Sequence, residues 1–573
     1  MDTFDRLPQP LSCARDGLLS FAARPATCLV AIALSLTLVG CGPRTPDEPS
    51  TGEATTAGVD APLLLVISVD QMREDYLERF DAQFTGGFRR LLDQGAVFTE
   101  ARQGQAITAT APGHAAILSG LYPRDHGIID NTWYDHELGR RERASSDPAY
   151  RFIGLDEPDD GPGGAPTQFL GSSLVGWLKQ HDPRSQAVSI SRKDRTAVLL
   201  APEAEHVYWW HATGRFISST YYREQLPAWV RQFNDADWLS AYAGGSWELS
   251  RPQEAYAGAR PDDYEGERGP RGFGNVFPHP LPEDRRALAS RIQSTPFMDQ
   301  ATLELGRLAV TTLDLGGDEV PDVLALGLSS TDAIGHNFGP YSREIADQML
   351  RLDGLLGDFF DFIDETVGLD RTLIVLTSDH GVVRLPEYSR ELGEDAERLR
   401  MGEVTAGIDA LIAPDFGGED WFASYSYGWL QLDREQAIKA GADPQELIVA
   451  ARDYVASLPY VAAVFTRDEL MSDAWLDSPY VQSARHSFYA DRSGDLYVVH
   501  QPLDLWEVGS AANHQSPHDY DQHVPLILMH PAVAAGARGE PVMLVDLAPT
   551  LATLLGVDAP GDLAGTVLPG FTP

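Results

Sequence analysis

The chain has 573 residues, with 44 Lys or Arg against 84 Asp or Glu and a formal net charge of −40. Such a surface repels nucleic acid, and an anionic substrate must then rely on local positive charge from metal ions or a few Lys and Arg. Its length allows one large α/β domain with insertions or two to three domains. The three cysteines, Cys13, Cys28 and Cys41, all lie in the first 41 residues. The body of the protein therefore has neither a disulfide framework nor a thiolate metal site, and any metal must be held by His and carboxylate.

Arg24 precedes an apolar run from Cys28 to Val39, which Gly40 and Cys41 follow. The run is short for a membrane span and right for a signal peptide. Its end, "LVGC", resembles a bacterial lipobox, so residues 1–41 are expected to be a lipoprotein signal peptide with Cys41 lipidated. The Pro-, Thr-, Gly- and acid-rich stretch 42–60 is expected to be a flexible tether. The rest, 61–573, is expected to form one catalytic domain.

"APLLLVISVD" (61–70) is a continuous apolar run ending in an acid, the form of a buried parallel strand. "PDVLALGLSSTD" (321–332) and "RTLIVLTSDHG" (371–381) repeat that form, and "HVPLILMHP" (523–531) is a fourth. Between the second and third, Ile345, Met349, Leu352, Leu356, Phe359 and Ile363 recur every three or four residues, which predicts an amphipathic helix over 341–368. Strand, long helix and strand make a βαβ unit. The fold class is α/β, a central, mostly parallel sheet flanked by helices. The stretches 200–290 and 385–480 break the rhythm and are expected to be insertions capping the sheet.

Ligands in such sheets sit at the carboxyl ends of strands, and there the acids appear. Asp70, Asp332 and Asp379 end three strands; His336 and His380 follow the last two at close spacing, and "NHQSPHDYDQH" adds more histidines near the C-terminus. One strand-end Asp is explained by helix capping; three, two of them with His, point to metal. His and carboxylate suit zinc. Asp332, His336 and a distant His can hold one ion; Asp70, Asp379, His380 and the Thr110 oxygen can hold another. Thr110 opens "TAPGH", with Pro112 in the first turn of the helix that follows. A metal-bound hydroxyl loses its proton readily, so Thr110 can serve as a nucleophile without a histidine base. Lys193 and Arg195, in "SRKDRTA", share a face of an extended chain and can meet a phosphoryl group.

"VDQMREDYLERF", "TATAPGHAAILSGLYPRDHGIIDN", "STDAIGHNFGP", "SDHGV" and "YDQHVP" together resemble the alkaline phosphatase superfamily. The nearest branches are the nucleotide pyrophosphatase/phosphodiesterases and the phosphate-irrepressible alkaline phosphatases. The resemblance spans nearly the whole chain after the tether. It implies two zinc ions, one on Asp70, Thr110, Asp379 and His380, the other on Asp332, His336 and His514. It implies that Thr110 forms a covalent phosphothreonine and that Asn131 donates to a phosphoryl oxygen. His514 is chosen because it stands seven residues before the Asp of "YD"; the family usually has Gly next, where this chain has Gln515. His518 is the alternative ligand and His523 is expected to be structural. The "KDR" triplet resembles the monoesterases, in which Lys and Arg bind the phosphoryl oxygens, which assigns that role to Lys193 and Arg195.

A sulfatase would carry Cys or Ser at the position of Thr110, and a pure binding protein would lack the nucleophile or a ligand. The expected function is a dizinc phosphomonoesterase acting on small phosphate esters, exported and tethered by Cys41 to a membrane; the alternative is a phosphodiesterase or nucleotide pyrophosphatase.

Overall fold

A computed structural model describes residues 58–571 except 136, 137, 158, 160, 427 and 508. The expected signal peptide, Cys41 and most of the tether lie outside the described residues. No helix among the described residues is long and apolar enough to cross a membrane.

Ten strands form the main sheet: β1 (Leu63–Val69), β2 (Ala96–Phe98), β3 (Phe152–Ile153), β4 (Ala187–Ser191), β5 (His206–His211), β6 (Arg215–Ser219), β7 (Asp322–Leu328), β8 (Thr372–Thr377), β9 (Leu526–Met529) and β10 (Gly536–Arg538). Their order is β10-β2-β9-β8-β1-β7-β4-β5-β6-β3. The centre, β8-β1-β7-β4-β5, is wholly parallel, with Leu63 level with Asp322 on one side and Thr372 on the other. The expected class is therefore found. One strand differs: β9, read as a fourth parallel strand, runs antiparallel to β8, Ile374 facing Met529. A strand buried on both faces is a continuous apolar run in either direction, so composition fixed its burial and not its sense.

Alternate side chains of β1 feed two cores. Leu63, Leu65, Ile67 and Val69 face one; Leu64 and Val66 face the other. The helices that sandwich the sheet are α1 (Thr110–Ile117), α2 (Leu174–His181), α3 (Asp194–Leu200), α4 (Phe297–Leu313), α5 (Ser330–Phe338), α6 (Arg343–Thr366) and α7 (Leu547–Leu555). Residues of α4 and α6 belong to the first core, those of α1, α2, α3 and α7 to the second. In α6 all six residues of the predicted stripe are fully buried, each worth about 1.5–3 kcal/mol. Ser342 starts that helix by accepting from the Ile345 N–H at 3.1 Å, an N-cap that satisfies an otherwise orphaned donor.

The expected insertions need new bounds. The first part of 200–290 is not a cap: "HVYWWH" and "RFISS" are β5 and β6, which extend the main sheet. Bulky aromatics obscured the strand signal there, although β-sheets favour them. The region expected at 385–480 builds a separate four-stranded sheet, ordered Phe422–Ser426, Trp429–Leu432, Leu496–His500, Val461–Thr466. It has its own core around Val404, Ile408, Leu430, Ala451 and Val498. Its third strand lies past residue 480, because a strand's partners are not visible in its own sequence.

Candidate active site

Three adjacent parallel strands deliver the acids to one edge. Asp70 follows β1; Asp379 and His380 follow β8; Asp332 lies in the first turn of α5, just after β7. His336 is one turn further along α5, on the same face as Asp332, with its Nε2 3.2 Å from Asp332 Oδ1. His514 arrives from the C-terminal segment, its Nε2 3.9 Å from Asp332 Oδ1 and its ring 3.6 Å from that of His380 and 5.1 Å from that of His336. Candidate ligand atoms of Asp70, Asp379 and His380 all lie within 4.8 Å of one another, as do those of Asp332, His380 and His514. His380 thus stands between the two expected groups rather than in one alone.

Thr110 opens α1 and is buried. That helix packs on α3, and the residue that precedes α3 is Lys193. The Lys193 ammonium sits 3.1 Å from Thr110 Oγ1 and 2.7 Å from both Asp70 Oδ2 and Asp332 Oδ2. The α1 backbone comes so close to Asp379 that a Cβ at Gly113 would fall 2.3 Å from the Asp379 carbonyl oxygen. Asn131 Oδ1 accepts from the Ala111 N–H at 2.9 Å, which commits its oxygen and leaves its Nδ2 hydrogens for another acceptor. Arg195 lies in the first turn of α3, half-buried, with its Nε lacking a hydrogen-bond partner.

The donor set fits a metal. Asp70 Oδ1, Asp379 Oδ2 and His380 Nε2 are buried with no hydrogen-bond partner, an arrangement that costs stability unless something cationic meets them. Each of the three imidazoles has its Nδ1 on a backbone carbonyl: His336 on Ala512 at 2.9 Å, His380 on Gly381 at 2.9 Å, His514 on Thr108 at 2.7 Å. Such bonds fix the tautomer with Nε2 as the open lone pair, the usual outer support of a metal-ligating histidine. Burial pushes His380 down to about 4, and burial with neighbouring His380 and His336 pushes His514 well below its ordinary value, so both rings are held neutral.

The carboxylates are split by their surroundings. Burial, helped by the charges of Asp332 and Asp379, lifts Asp70 to about 7 despite Lys193. Burial acts on Asp332 and Asp379 too, but is outweighed. Lys193, His336 and Arg192 hold Asp332 well below the usual carboxylate range, and His380 and His114 hold Asp379 below it.

Sequence reasoning missed several supporting residues. The Gln71 N–H donates to Asp379 Oδ1 at 3.1 Å and its side-chain amide to Asp332 Oδ1 at 3.3 Å, so one residue ties together two of the acids. Its φ of 68° has no sequence signal beyond its place next to Asp70. Arg192, overlooked beside Lys193, places Nη2 3.3 Å from Asp332 Oδ2. Ser329 donates to Asp70 Oδ2 at 2.9 Å. His114 Nε2 meets Ser68 Oγ at 3.0 Å, and its Nδ1 meets the Thr110 carbonyl at 2.8 Å. Two histidines that the sequence did single out stand outside the two donor groups: His518, the alternative ligand, has its Nε2 2.9 Å from the His500 carbonyl, and His523, expected to be structural, has its Nε2 2.8 Å from that of Thr99.

Acids at neighbouring strand ends, histidines with their Nε2 atoms open and a buried threonine beside a lysine ammonium are the features the sequence motifs announced. The chain belongs to the type I phosphodiesterase/nucleotide pyrophosphatase family, whose model matches residues 64–521. Within that family it is similar to alkaline phosphatase PafA of Elizabethkingia meningoseptica, 31% identical over 90% of this chain and 95% of the relative. It is also similar to alkaline phosphatase PhoV of Synechococcus elongatus, 32% identical over 91% and 94%. The crystal structure of wild-type PafA superposes with a TM-score of 0.83 at 28% identity, covering 89% of this chain and 99% of that one.

Proposed function

We propose that this enzyme is an alkaline phosphatase that hydrolyses phosphate monoesters to an alcohol and inorganic phosphate, with Thr110 as the nucleophile. The observation that carries the reading is the buried Thr110 hydroxyl 3.1 Å from the Lys193 ammonium, beside two groups of carboxylate and imidazole donors. Asp70, Thr110, Asp379 and His380 would hold one zinc ion, and Asp332, His336 and His514 a second. When bound, the ions supply the charge that lowers the pKa of the threonine hydroxyl and stabilises the departing oxygen.

The chain's own groups do the rest. Thr110 Oγ1 attacks phosphorus as the bond to the leaving alcohol oxygen breaks, giving a phosphothreonine that water then hydrolyses. Lys193 and Arg195 donate to nonbridging oxygens, and Asn131 offers Nδ2, its Oδ1 being occupied by Ala111. Preorganised donors of this kind act on charge that develops in the transition state. A dianionic monoester gains more from two cations than a monoanionic diester does. Phosphodiester or pyrophosphate cleavage is the second reading, favoured by the description of the family itself. We further propose export, with lipidated Cys41 as the membrane tether.

The test compares kcat/KM for para-nitrophenyl phosphate and bis-para-nitrophenyl phosphate in the wild type, Thr110→Ala and Lys193→Ala/Arg195→Ala. The monoester should win in the wild type, the threonine variant should lose turnover, and the double variant should lose the monoester preference. A wild type that prefers the diester moves the function to the second reading. Full activity in Thr110→Ala removes the nucleophile. Radiolabelled palmitate on the wild type but not on Cys41→Ala supports the tether; equal labelling refutes it.

A further inference from the structure

We infer that an arginine-lined cavity beside the phosphoryl site is a second anion subsite, which takes the second phosphate of a small bisphosphorylated substrate. The inference rests on the monoesterase reading above.

A two-stranded hairpin, Thr132–Asp135 paired with Arg140–Arg143, starts at the residue after Asn131. Its base is fastened to the site. The Ala144 N–H donates to the Asn131 carbonyl at 3.1 Å, and Arg143 Nη2 lies 2.8 Å from Oδ2 of Asp194, the residue between Lys193 and Arg195. A four-residue strand is about 13 Å long, so the whole hairpin is on the scale of a bisphosphorylated sugar. Against it lies a cavity of about 340 Å³, whose lining includes Arg140, Arg141, Glu142, Arg143 and Arg151. That volume is at the lower end of the range for small-molecule sites.

The charge of this cavity runs against that of the chain. In a protein of net −40, its lining sets four guanidinium groups against one carboxylate. A larger cavity of about 610 Å³ carries four acids against two arginines, and another of about 650 Å³ carries three of each. Internal pairing does not cancel the excess. Arg140 meets Glu142 at 2.6 Å and Arg143 meets Asp194, but Arg151 donates to the carbonyls of Pro148 and Tyr150 and has no carboxylate partner among the described residues. Guanidinium forks match the oxygens of a phosphate group. A doubly phosphorylated substrate is also the kind most strongly repelled by an acidic surface, and local cations of this sort offset that repulsion. Because the hairpin is rooted at Asn131 and Asp194, the group bound there belongs to the molecule whose other phosphate lies at Thr110.

The experiment uses the zinc-loaded full chain with fructose 1,6-bisphosphate and fructose 6-phosphate, which differ by one phosphate, and with para-nitrophenyl phosphate as a substrate lacking any second anion. In the wild type, kcat/KM for the bisphosphate should exceed that for fructose 6-phosphate about tenfold, and the preference should shrink as NaCl rises from about 50 to 500 mM. Arg141→Gln/Arg151→Gln should lower kcat/KM for the bisphosphate about 5- to 10-fold through KM, with kcat unchanged. It should alter the other two substrates less than about twofold. Arg151→Glu should lose at least as much, because it replaces attraction with repulsion. Both arginines are exposed, so melting temperatures should stay within about 3 °C of wild type. No preference in the wild type, no loss in the variants, or an equal loss on all three substrates would overturn the inference while leaving the monoesterase reading intact. Arginine-dependent binding to phosphatidylglycerol vesicles, with bisphosphate turnover unchanged in the variants, would likewise overturn it and give the cluster to a membrane surface. A wild type inactive on para-nitrophenyl phosphate would bring down that reading and the inference with it.

Discussion

The Lys193 ammonium offers the most direct test of how the site is balanced. Its side chain is 4% exposed and it contacts two buried carboxylates at 2.7 Å each. At an effective dielectric near 20, each contact is worth roughly 6 kcal/mol before the cost of dehydrating the ions is counted. Removing one partner of such a buried pair typically costs about 3–5 kcal/mol, because a charge is left behind unpaired. Lys193→Met keeps much of the side-chain volume and deletes the charge: Asp332 loses its ammonium partner, and Asp70, already lifted to about 7 by burial, is driven to take up a proton. In the presence of a chelator, urea unfolding followed by tryptophan fluorescence should therefore show a loss of about 3–5 kcal/mol at neutral pH. With saturating zinc the loss should shrink below about 1 kcal/mol, since the acids regain a cationic partner. A loss below 1 kcal/mol in chelator, or an equal loss with and without zinc, would refute this account of the buried charges.

Chelation of the wild type should abolish phosphatase activity and added zinc should restore it; activity indifferent to chelator in protein shown by elemental analysis to be metal-free would refute the metal assignment. Phe359→Ala, deep between α6 and the sheet, should lower unfolding stability by about 3–5 kcal/mol through the cavity left behind, read by denaturant titration. Burial of His126 pushes its imidazole down to about 3. The unfolded chain then binds a proton below its ordinary 6.5 that the folded chain refuses. Stability from this group is complete above pH 6.5 and is lost as the pH falls toward 3, by about 3 kcal/mol at pH 4. His126→Gln should flatten that part of the profile, measured by urea midpoints from pH 7 to 4; an unchanged slope would show that His126 does not govern it.

Much of the centre was legible because its signals are local. The runs that became β1, β7 and β8 are each buried throughout, so they read as continuous apolar segments. The stripe of α6 follows the helical period. Asp70, Asp332, Asp379 and His380 were visible because strand ends are where such sheets bind. What was hidden depends on contacts between distant segments. The direction of β9 is set by its connection, not by its residues. The bonds from Gln71 to Asp379 and Asp332, and from Gln515 to Asp130, cross more than 250 positions of the chain, and a left-handed φ at a glutamine has no local signature. The bounds of the second insertion failed for the same reason, as Leu496–His500 pairs with strands at 429–432 and 461–466.

The wide spacing of the proposed ligands bears on how the protein is made. Asp70 waits for β7 and β8 before its strand has neighbours, and His514 stands more than 400 positions after it. A ribosome must therefore finish nearly all of the polypeptide before a full set of donors exists, and a product truncated ahead of residue 514 cannot assemble the second group at all. Metal binding by the proposed ligands would then be a late step of biogenesis, coupled to completion of the fold rather than to its nucleation.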